Sequence, residues 1–322
     1  MNILTYIIKR LIQTIPLLFL VTLISFFLIR LSPVDPLAEL KLNPAISQET
    51  LSQEVKRLGL DKPIAVQYGL WLKSFVKGDM GVCTTGEKVS TKLKERIPNT
   101  LLLTLFVIFF TWAVGIPLGI VAALHWKEPI DRILTLLSSI GMAIPSFFFA
   151  LLLLIFAVKT GWFPTGGLTS FDFMTKSFFG KIIDVLHHLV LPVVVLFTIS
   201  LSSLQRQMRG NLLDVLESDY IKFARAKGLS ENKVIYKHAL RNAINPMVTL
   251  LGFEFASLLS GAALTEYVFQ YPGLGRLILE AVMKSDINLV MASLTIGTIM
   301  LVVGNLLADI LLKLVDPRVE VS

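Results

Sequence analysis

Residues 101–124 read LLLTLFVIFFTWAVGIPLGIVAAL and contain no charged side chain. A helix needs roughly 20 mostly apolar residues to cross the hydrocarbon core of a bilayer, so this stretch is long enough to be a span. Because an unpaired peptide group in lipid is costly, a spanning segment is expected to be a helix whose hydrogen bonds are internal. The stretch therefore predicts an all-α membrane protein.

Five further apolar stretches are candidate spans, which gives six transmembrane helices in all. They lie at residues 11–29, 133–158, 189–204, 246–265 and 289–312. The first is longer than the apolar region of ~7–15 residues in a signal peptide and lacks a following small-residue cleavage pattern, so we expect an anchor. Six helices place the N terminus and the C terminus on the same side of the membrane.

The composition of the 322-residue chain favours the same class. Hydrophobic residues make up 54% and charged residues 16%, and the mean hydropathy is +0.72. A soluble domain carries about 25% charged residues, so a soluble enzyme or a disordered chain fits poorly. With a single cysteine, the chain cannot form an internal disulfide framework.

The basic residues predict which side holds the termini. Short loops facing the cytoplasm carry an excess of Lys and Arg. The flanks and loops on the side of the termini hold fourteen Lys and Arg, and the short loops opposite hold five. We therefore expect both termini in the cytosol. The net charge of +7 is then explained mostly by the Lys and Arg residues that orient the chain in the membrane. The sequence shows no basic face with aromatic residues that would indicate nucleic-acid binding.

The spans divide the chain into three parts. Residues 1–30 carry the first transmembrane helix, residues 31–100 form an extracytoplasmic segment, and residues 101–322 form a five-helix core. In the outer segment, the patterns near 47–58 and 64–76 predict two short helices.

A 40-residue polar loop, residues 205–244, separates the fourth and fifth spans. The spacing predicts one helix over 208–227, ended by Gly228 in a left-handed cap, and a second helix after Ser230. Small residues beside Gly228 allow another surface to approach closely. The loop is either a docking element for a partner or a solvated amphipathic hairpin on the membrane surface.

The outer loop at 266–288 contains the turn signature Tyr271-Pro272-Gly273-Leu274-Gly275, followed by apolar residues at helical spacing. We expect a short helix at the outer mouth, with Glu280 and Lys284 as an i,i+4 pair on its other face. This helix is either part of a gate or an ordinary interfacial helix.

Glu254 is the most unusual residue inside a predicted span. An ionised carboxylate at the bilayer centre costs about 2.5–3.5 kcal/mol or more unless it is paired or hydrated. We expect it to face the substrate pathway or a partner subunit, where it attracts a substrate ammonium group, pairs with a basic residue, or is protonated. Asn305 and Asp309, one turn apart in the last span, are candidates for an exit gate or an interhelical hydrogen bond.

Two further patterns point away from chemistry in this chain. Asp184, His187 and His188 are metal-ligand types, but adjacent helical side chains point about 100° apart, and no metal site is expected. The nearest approach to a nucleotide-binding Gly-x4-Gly-Lys-Ser/Thr loop, residues 81–88, has Glu87 where the lysine is needed. The chain is therefore expected to lack an ATPase site, and Cys83 is expected to be structural.

Several separated motifs resemble those of one family. The loop motif runs from Asp219 to Gly228 and continues through residues 238–243 to Pro246; further motifs lie at residues 30–36, 58–63, 78–81, 95–100, 115–119, 271–275 and 316–318. In these motifs the chain is similar to the dipeptide/oligopeptide/nickel permeases of ABC importers, as the first of two permease subunits. It departs from that family at Glu254, where a neutral residue is more usual. The acidic first position of the general loop motif is also changed, since Phe223 precedes the triplet Ala224-Arg225-Ala226.

The resemblance implies a type I ABC importer permease fold that moves di- or oligopeptides by alternating access, with nickel as the alternative cargo. It implies a second permease subunit, two cytosolic ABC ATPases that bind ATP and Mg, and an extracytoplasmic binding protein, in the cell membrane of a prokaryote. The residues it assigns to ATPase coupling are Asp219, Tyr220, Ala224, Arg225, Ala226, Gly228 and Leu229. A secondary carrier is the rival class; it would need several titratable groups at mid-membrane, and the chain offers chiefly Glu254.

Overall fold

A computed structural model describes residues 3–31, 37, 41, 47–57 and 59–315 of the chain. In these ranges every secondary-structure element is a helix, apart from one isolated β-bridge that joins Val82 to Lys88. Parts of three sequence motifs, residues 32–36, Leu58 and residues 316–318, lie outside the described residues.

The segment at 31–100 holds two short helices, and the second packs against the first span. The span is α1, Ile3–Leu31, and the short helices are α2, Gln48–Arg57, and α3, Ile64–Val76. Both predictions in this segment are confirmed. Tyr68 of α3 fixes the contact with α1, since its ring packs edge-on against Phe26 and its hydroxyl lies 3.0 Å from the Thr22 hydroxyl.

Two long helices pack against each other at the centre of the core. They are α4, Val89–Leu124, and α7, Phe178–Leu216. The glycine motif at 115–119 explains their close approach, because a Cβ added at Gly119 would lie 2.6 Å from the Cβ of Met208. Small residues at helix interfaces are the usual way for membrane helices to pack tightly.

The predicted third span, 133–158, contains a sharp bend. Two helices occupy it, α5, Pro129–Ala143, and α6, Ser146–Thr160, and their axes differ by 95°. Pro145 causes the break, because proline has no N–H to donate and forces the preceding residue out of the helical region. Ile144 is accordingly extended, with φ −84° and ψ 120°.

The polar loop also differs from its prediction. The expected helix over 208–227 is interrupted at residues 217–218, where α7 ends and α8, Asp219–Ala226, begins. Ser218 adopts an extended conformation there, with ψ 151°. After α8, a wide-wound π-helical segment, Lys233–Ala239, leads directly into α9, Leu240–Gly261.

Three more helices complete the described chain. They are α10, Ala263–Val268, α11, Leu274–Met283, and α12, Ile287–Val315. The short helix predicted after the turn at 271–275 is confirmed as α11. Between α9 and α12 the packing is close, since a Cβ at Gly304 would lie 2.1 Å from the ring of Phe255.

The chain is a multi-pass membrane protein by the length and apolarity of its helices. Four helices, α1, α4, α7 and α12, meet both criteria in the described residues, and the bent pair of α5 and α6 makes a fifth if it forms one broken span. The predicted span at 246–265 falls on α9 and α10, which do not meet them. The total of six and the side on which the termini lie remain predictions.

Candidate functional site

The inner face of α8 anchors it to the protein. Ile221 is fully buried and lies in a cluster with Met208 and Leu212 of α7 and with Val234 of the π-helical segment. Ala224 packs against the same cluster and is only half-buried. The small side chain of Ala224 therefore serves packing inside the chain, and α8 is fixed to α7 on one side and to the start of α9 on the other.

The face of α8 that points away from the rest of the protein is exposed and carries apolar side chains. Phe223 is 68% exposed, Tyr220 is 44% exposed, and Leu229 just beyond the helix is 37% exposed. Exposed apolar residues that cluster on a short helix are typical of a protein-interaction site. The structure thus leaves one side of the predicted coupling motif open and uses the other to hold it in place.

The end of α8 is held by an ion pair and a left-handed turn. Arg225 contacts Glu231 with Nη2 and Oε1 2.6 Å apart, and the guanidinium lowers the pKa of the Glu231 carboxyl. Gly228 has φ +75°, which confirms the predicted left-handed cap and favours glycine. The Asn242 amide donates to the Tyr220 hydroxyl at 2.8 Å, and this contact ties α8 to α9.

The remaining residues of the predicted coupling motif lie on or beside α8. Asp219 is exposed and accepts from Lys222 at 2.9 Å, while Ala226 is exposed at the end of the helix. None of these contacts requires a partner, so the motif is a preformed element.

Glu254 lies on α9 and is held from a neighbouring span. Its Oε2 accepts a hydrogen bond of 2.8 Å from Nε1 of Trp112 on α4, and Ser200 of α7 lies beside the carboxyl. Its Oε1 is buried and has no hydrogen-bond partner within the described part of the chain. One oxygen of this half-buried carboxyl is thus buried without a donor from the described residues.

The other two pathway candidates are not brought to Glu254 by any described contact. Asn305 is half-buried on α12. Asp309 lies one turn further along the same helix, but its side chain lies outside the described residues.

Glu266 is a polar centre that the sequence reasoning missed. It is 0% exposed, and its carboxylate accepts from the Thr100 hydroxyl of α4 at 2.8 Å and from the backbone N–H of Arg276 at 2.9 Å. Arg276 is in the first turn of α11, so the carboxylate satisfies free N–H groups at the positive end of that helix. Its position does not predict this role, because a charged residue directly after an apolar stretch is common.

The turn at 271–275 is built around this carboxylate. A Cβ added at Gly273 would lie 2.2 Å from a Glu266 carboxylate oxygen, so only glycine fits there. The Tyr271 hydroxyl donates to the backbone oxygen of Asn99 at 2.8 Å, and the Asn99 amide donates to the backbone oxygen of Pro272 at the same distance. Two of the separated sequence motifs, 95–100 and 271–275, therefore form one assembly.

The predicted pair of Glu280 and Lys284 is wrong. Glu280 instead contacts Arg276, with Nε and Oε1 2.6 Å apart, one turn earlier on α11. The backbone explains the choice, because α11 ends at Met283 and Lys284 is already beyond the helix.

The polar residues considered for a metal have other partners. Asp184 accepts from both the backbone and the hydroxyl of Ser170 and pairs with Lys176, while His187 contacts the backbone oxygen of Trp162. In the described residues, no three His, Cys, Asp or Glu side chains are grouped as metal ligands. Cys83 is buried in a hydrophobic cluster, and burial raises the pKa of its thiol to about 11.

These features define a class of protein. Several apolar helices are long enough to span a membrane, and a polar loop between two of them carries a preformed amphipathic helix, as in a membrane transport component. The chain belongs to the family described as "Binding-protein-dependent transport system inner membrane component", whose model matches residues 115–321. The N-terminal model of the same kind of component matches residues 3–104.

Curated relatives match along the whole chain. The "Oligopeptide transport system permease protein AppB" of Bacillus subtilis (strain 168) is 42% identical over 98% of this chain and 99% of its own length. The "Dipeptide transport system permease protein DppB" of Alkalihalophilus pseudofirmus is 35% identical over the same shares of the two chains.

A solved structure shares the fold. An inward-facing form of the MetNI methionine ABC transporter superposes with a TM-score of 0.55 and 18% identity, over 69% of this chain and 95% of that chain. The fold is therefore that of a type I ABC importer permease, in agreement with the sequence-based expectation.

Proposed function

We propose that this chain is a permease subunit that imports di- or oligopeptides by alternating access. The observation that carries the proposal is the 42% identity, over 98% of the chain, to a permease named for oligopeptide transport. A second relative is named for dipeptides, and this favours peptides over nickel.

The proposed energy source is a pair of ABC ATPases that bind ATP and Mg and dock on α8. The exposed face formed by Tyr220, Phe223 and Leu229 suits a hydrophobic groove on such a partner. The chain itself is proposed to hydrolyse nothing, since residues 81–88 carry Glu87 in place of the phosphate-binding lysine. Because Ile221 packs on α7 and the Asn242 amide of α9 bonds to Tyr220, a movement of the ATPase would be passed to α7 and α9 as a rigid-body displacement.

A second homologous permease and an extracytoplasmic binding protein complete the proposed complex. In this arrangement α9 and α10 supply the fifth of six spans, both termini lie in the cytosol, and the membrane is the cell membrane of a prokaryote. The outer segment and the assembly around Glu266 then face the binding protein. Residues 205–244 then face the ATPases.

Glu254 is proposed to line the substrate pathway, with Asn305 and Asp309 further along it. The support for Glu254 is its half-buried carboxyl, which Trp112 orients through one oxygen while the other lacks a partner in the described chain. Such a carboxylate suits the ammonium group of a peptide, and a wet cavity lowers its desolvation cost.

The proposed cargo is tested by uptake in a prokaryotic strain that lacks its own peptide and nickel importers and expresses the complex. Labelled dipeptide and pentapeptide should accumulate, and excess unlabelled peptide should compete, whereas nickel accumulation should equal that of the empty strain. Nickel uptake without peptide uptake would contradict the proposal.

A further inference from the structure

An outer cavity of about 500 Å³ lies apart from the coupling helix and from Glu254. Its walls come from the end of α1, from α3, from the hairpin around residues 79–86 and from the start of α12. Because α1 leaves its apolar span at Arg30, the cavity lies at the depth where a spanning helix meets the membrane surface.

Three polar atoms on residues that line this cavity are buried and have no partner. They are Nε of Arg30, Nε1 of Trp71 and Oε1 of Gln67, none of which has a hydrogen-bond partner in the described residues. Gln67 is 8% exposed, and its amide nitrogen is already used on the backbone oxygen of Lys62 at 2.7 Å. Buried polar groups are nearly always satisfied, so three unpartnered ones on residues around one cavity point to a ligand that these side chains turn to meet.

The nearby carboxylates are occupied elsewhere. Asp286 accepts through Oδ2 from the backbone N–H of Thr84 at 2.7 Å and through Oδ1 from that of Leu289 at 3.1 Å. Asp79 accepts from the backbone N–H of Gly81 at 2.9 Å. The Arg30 guanidinium instead lies over the ring of Phe26, 5.7 Å from its centroid, and has no ion pair with a described carboxylate.

The wall carries three cations, Arg30, Lys56 and Lys62, and two carboxylates, Asp79 and Asp286. Arg30 and the indole of Trp71 supply buried N–H groups, while Lys56 and Lys62 add charge at the exposed rim. Gln67 offers one acceptor. Phe26, Leu37 and Leu70 add an apolar wall.

We propose that this cavity binds a phosphate-bearing group, with Arg30 and Trp71 donating to the phosphate oxygens. Guanidinium is suited to phosphate because it presents several N–H groups in a fixed plane. Gln67 would accept from a hydroxyl on the phosphate or on the group that it carries. A phospholipid headgroup at the outer surface and a free phosphate ion are two sources of the same chemistry.

The detergent-purified complex tests this by native mass spectrometry and titration with two probes, a short-chain phosphatidylglycerol and inorganic phosphate. We expect Arg30→Gln and Trp71→Phe each to weaken binding of at least one probe about tenfold. Trp71→Phe keeps a ring for stacking on Tyr68 and Phe75, so it separates loss of the donor from loss of packing. Lys88→Gln, an exposed cation in the same outer region but outside the cavity, should bind like wild type.

The two arms distinguish the sources. Saturable lipid binding that inorganic phosphate fails to displace assigns the site to a headgroup, and binding of phosphate alone assigns it to the free ion. Absence of binding by both probes, or equal binding by wild type and by assembled Arg30→Gln and Trp71→Phe complexes, would overturn the proposal.

Discussion

The carboxylate of Glu266 accepts a hydrogen bond of 2.8 Å from the hydroxyl of Thr100, although the two residues are 166 positions apart in the chain. The same hydroxyl accepts from the backbone N–H of Leu274 at 2.7 Å. Thr100 and Glu266 thus join α4 to the start of α11 through groups that are fully buried. We expect this junction to set the position of α11.

Replacing Glu266 by Ala should destabilise this outer assembly. The Thr100 hydroxyl and the Arg276 N–H would lose their acceptor, and an orphaned buried donor costs about 1–3 kcal/mol. We expect a loss of roughly 2–4 kcal/mol of stability, read as a lower melting temperature of the detergent-solubilised complex. Glu280→Ala, on a partly exposed carboxylate of α11, is the control. Equal melting temperatures for the two variants would contradict a role for the Glu266 junction.

Replacing Gly273 by Ala should have a similar effect for a steric reason. The added Cβ would lie 2.2 Å from a Glu266 carboxylate oxygen. Because hydrogen bonds from Thr100 and Arg276 hold that carboxylate in place, the turn must shift. Gly69→Ala is the matched control, because that glycine has open space around its Cβ position and helical geometry on exposed α3. Limited proteolysis near residues 271–275 should accelerate for Gly273→Ala alone. Protection equal to the control would show that the turn tolerates the extra atom.

Changing Glu254 should separate three roles for its carboxyl. Glu254→Gln keeps an acceptor for Trp112 and removes the charge. If the carboxylate stabilises the ammonium group of the cargo, the contact is worth about 1–2 kcal/mol in a wet cavity, and transport efficiency should fall roughly tenfold. We expect this result in a peptide-uptake assay, with the complex intact on gel filtration.

The other outcomes of this change are equally readable. Loss of the second permease during purification would assign Glu254 to the subunit contact, and full uptake by an intact complex would remove it from the pathway. Trp112→Phe deletes the donor at 2.8 Å but leaves the charge. It should therefore have a smaller effect than Glu254→Gln if charge is what matters.

The exposed face of α8 should be required for ATPase docking and dispensable for folding. Phe223→Asp places a charge on a side chain that is 68% exposed in this chain, so the subunit should fold normally. In the complex the charge would be buried without a partner, which is strongly unfavourable. The ATPases should no longer co-purify. Phe171→Asp, a change of the same kind at an exposed phenylalanine between α6 and α7, should leave co-purification unchanged.

Apolar length and spacing predict where the helices lie, but they do not give every change in the direction of the chain. The bend at Ile144–Pro145 lies inside a continuous charge-free run, where the proline indicates a kink but hydropathy does not give its angle of 95°. The break at 217–218 has no glycine or proline to mark it.

Part of the candidate site was predictable for a related reason. The coupling motif is local, so its small residues and the left-handed Gly228 could be recognised from consecutive positions. Which side of α8 faces outward could not, because the burial of Ile221 depends on Met208 and Val234. The role of Glu266 could not be predicted, because its partner Thr100 is distant in sequence and neither residue is unusual by itself.

Peptide uptake into proteoliposomes tests the central claim most directly. The complete complex is reconstituted with ATP and Mg on the ATPase side and with labelled peptide and binding protein on the other, and uptake and ATP hydrolysis are measured together. The account predicts ATP-dependent accumulation with wild type, and loss of both coupled hydrolysis and uptake with Phe223→Asp. Full accumulation by the Phe223→Asp complex, or hydrolysis of ATP by this chain alone, would contradict it.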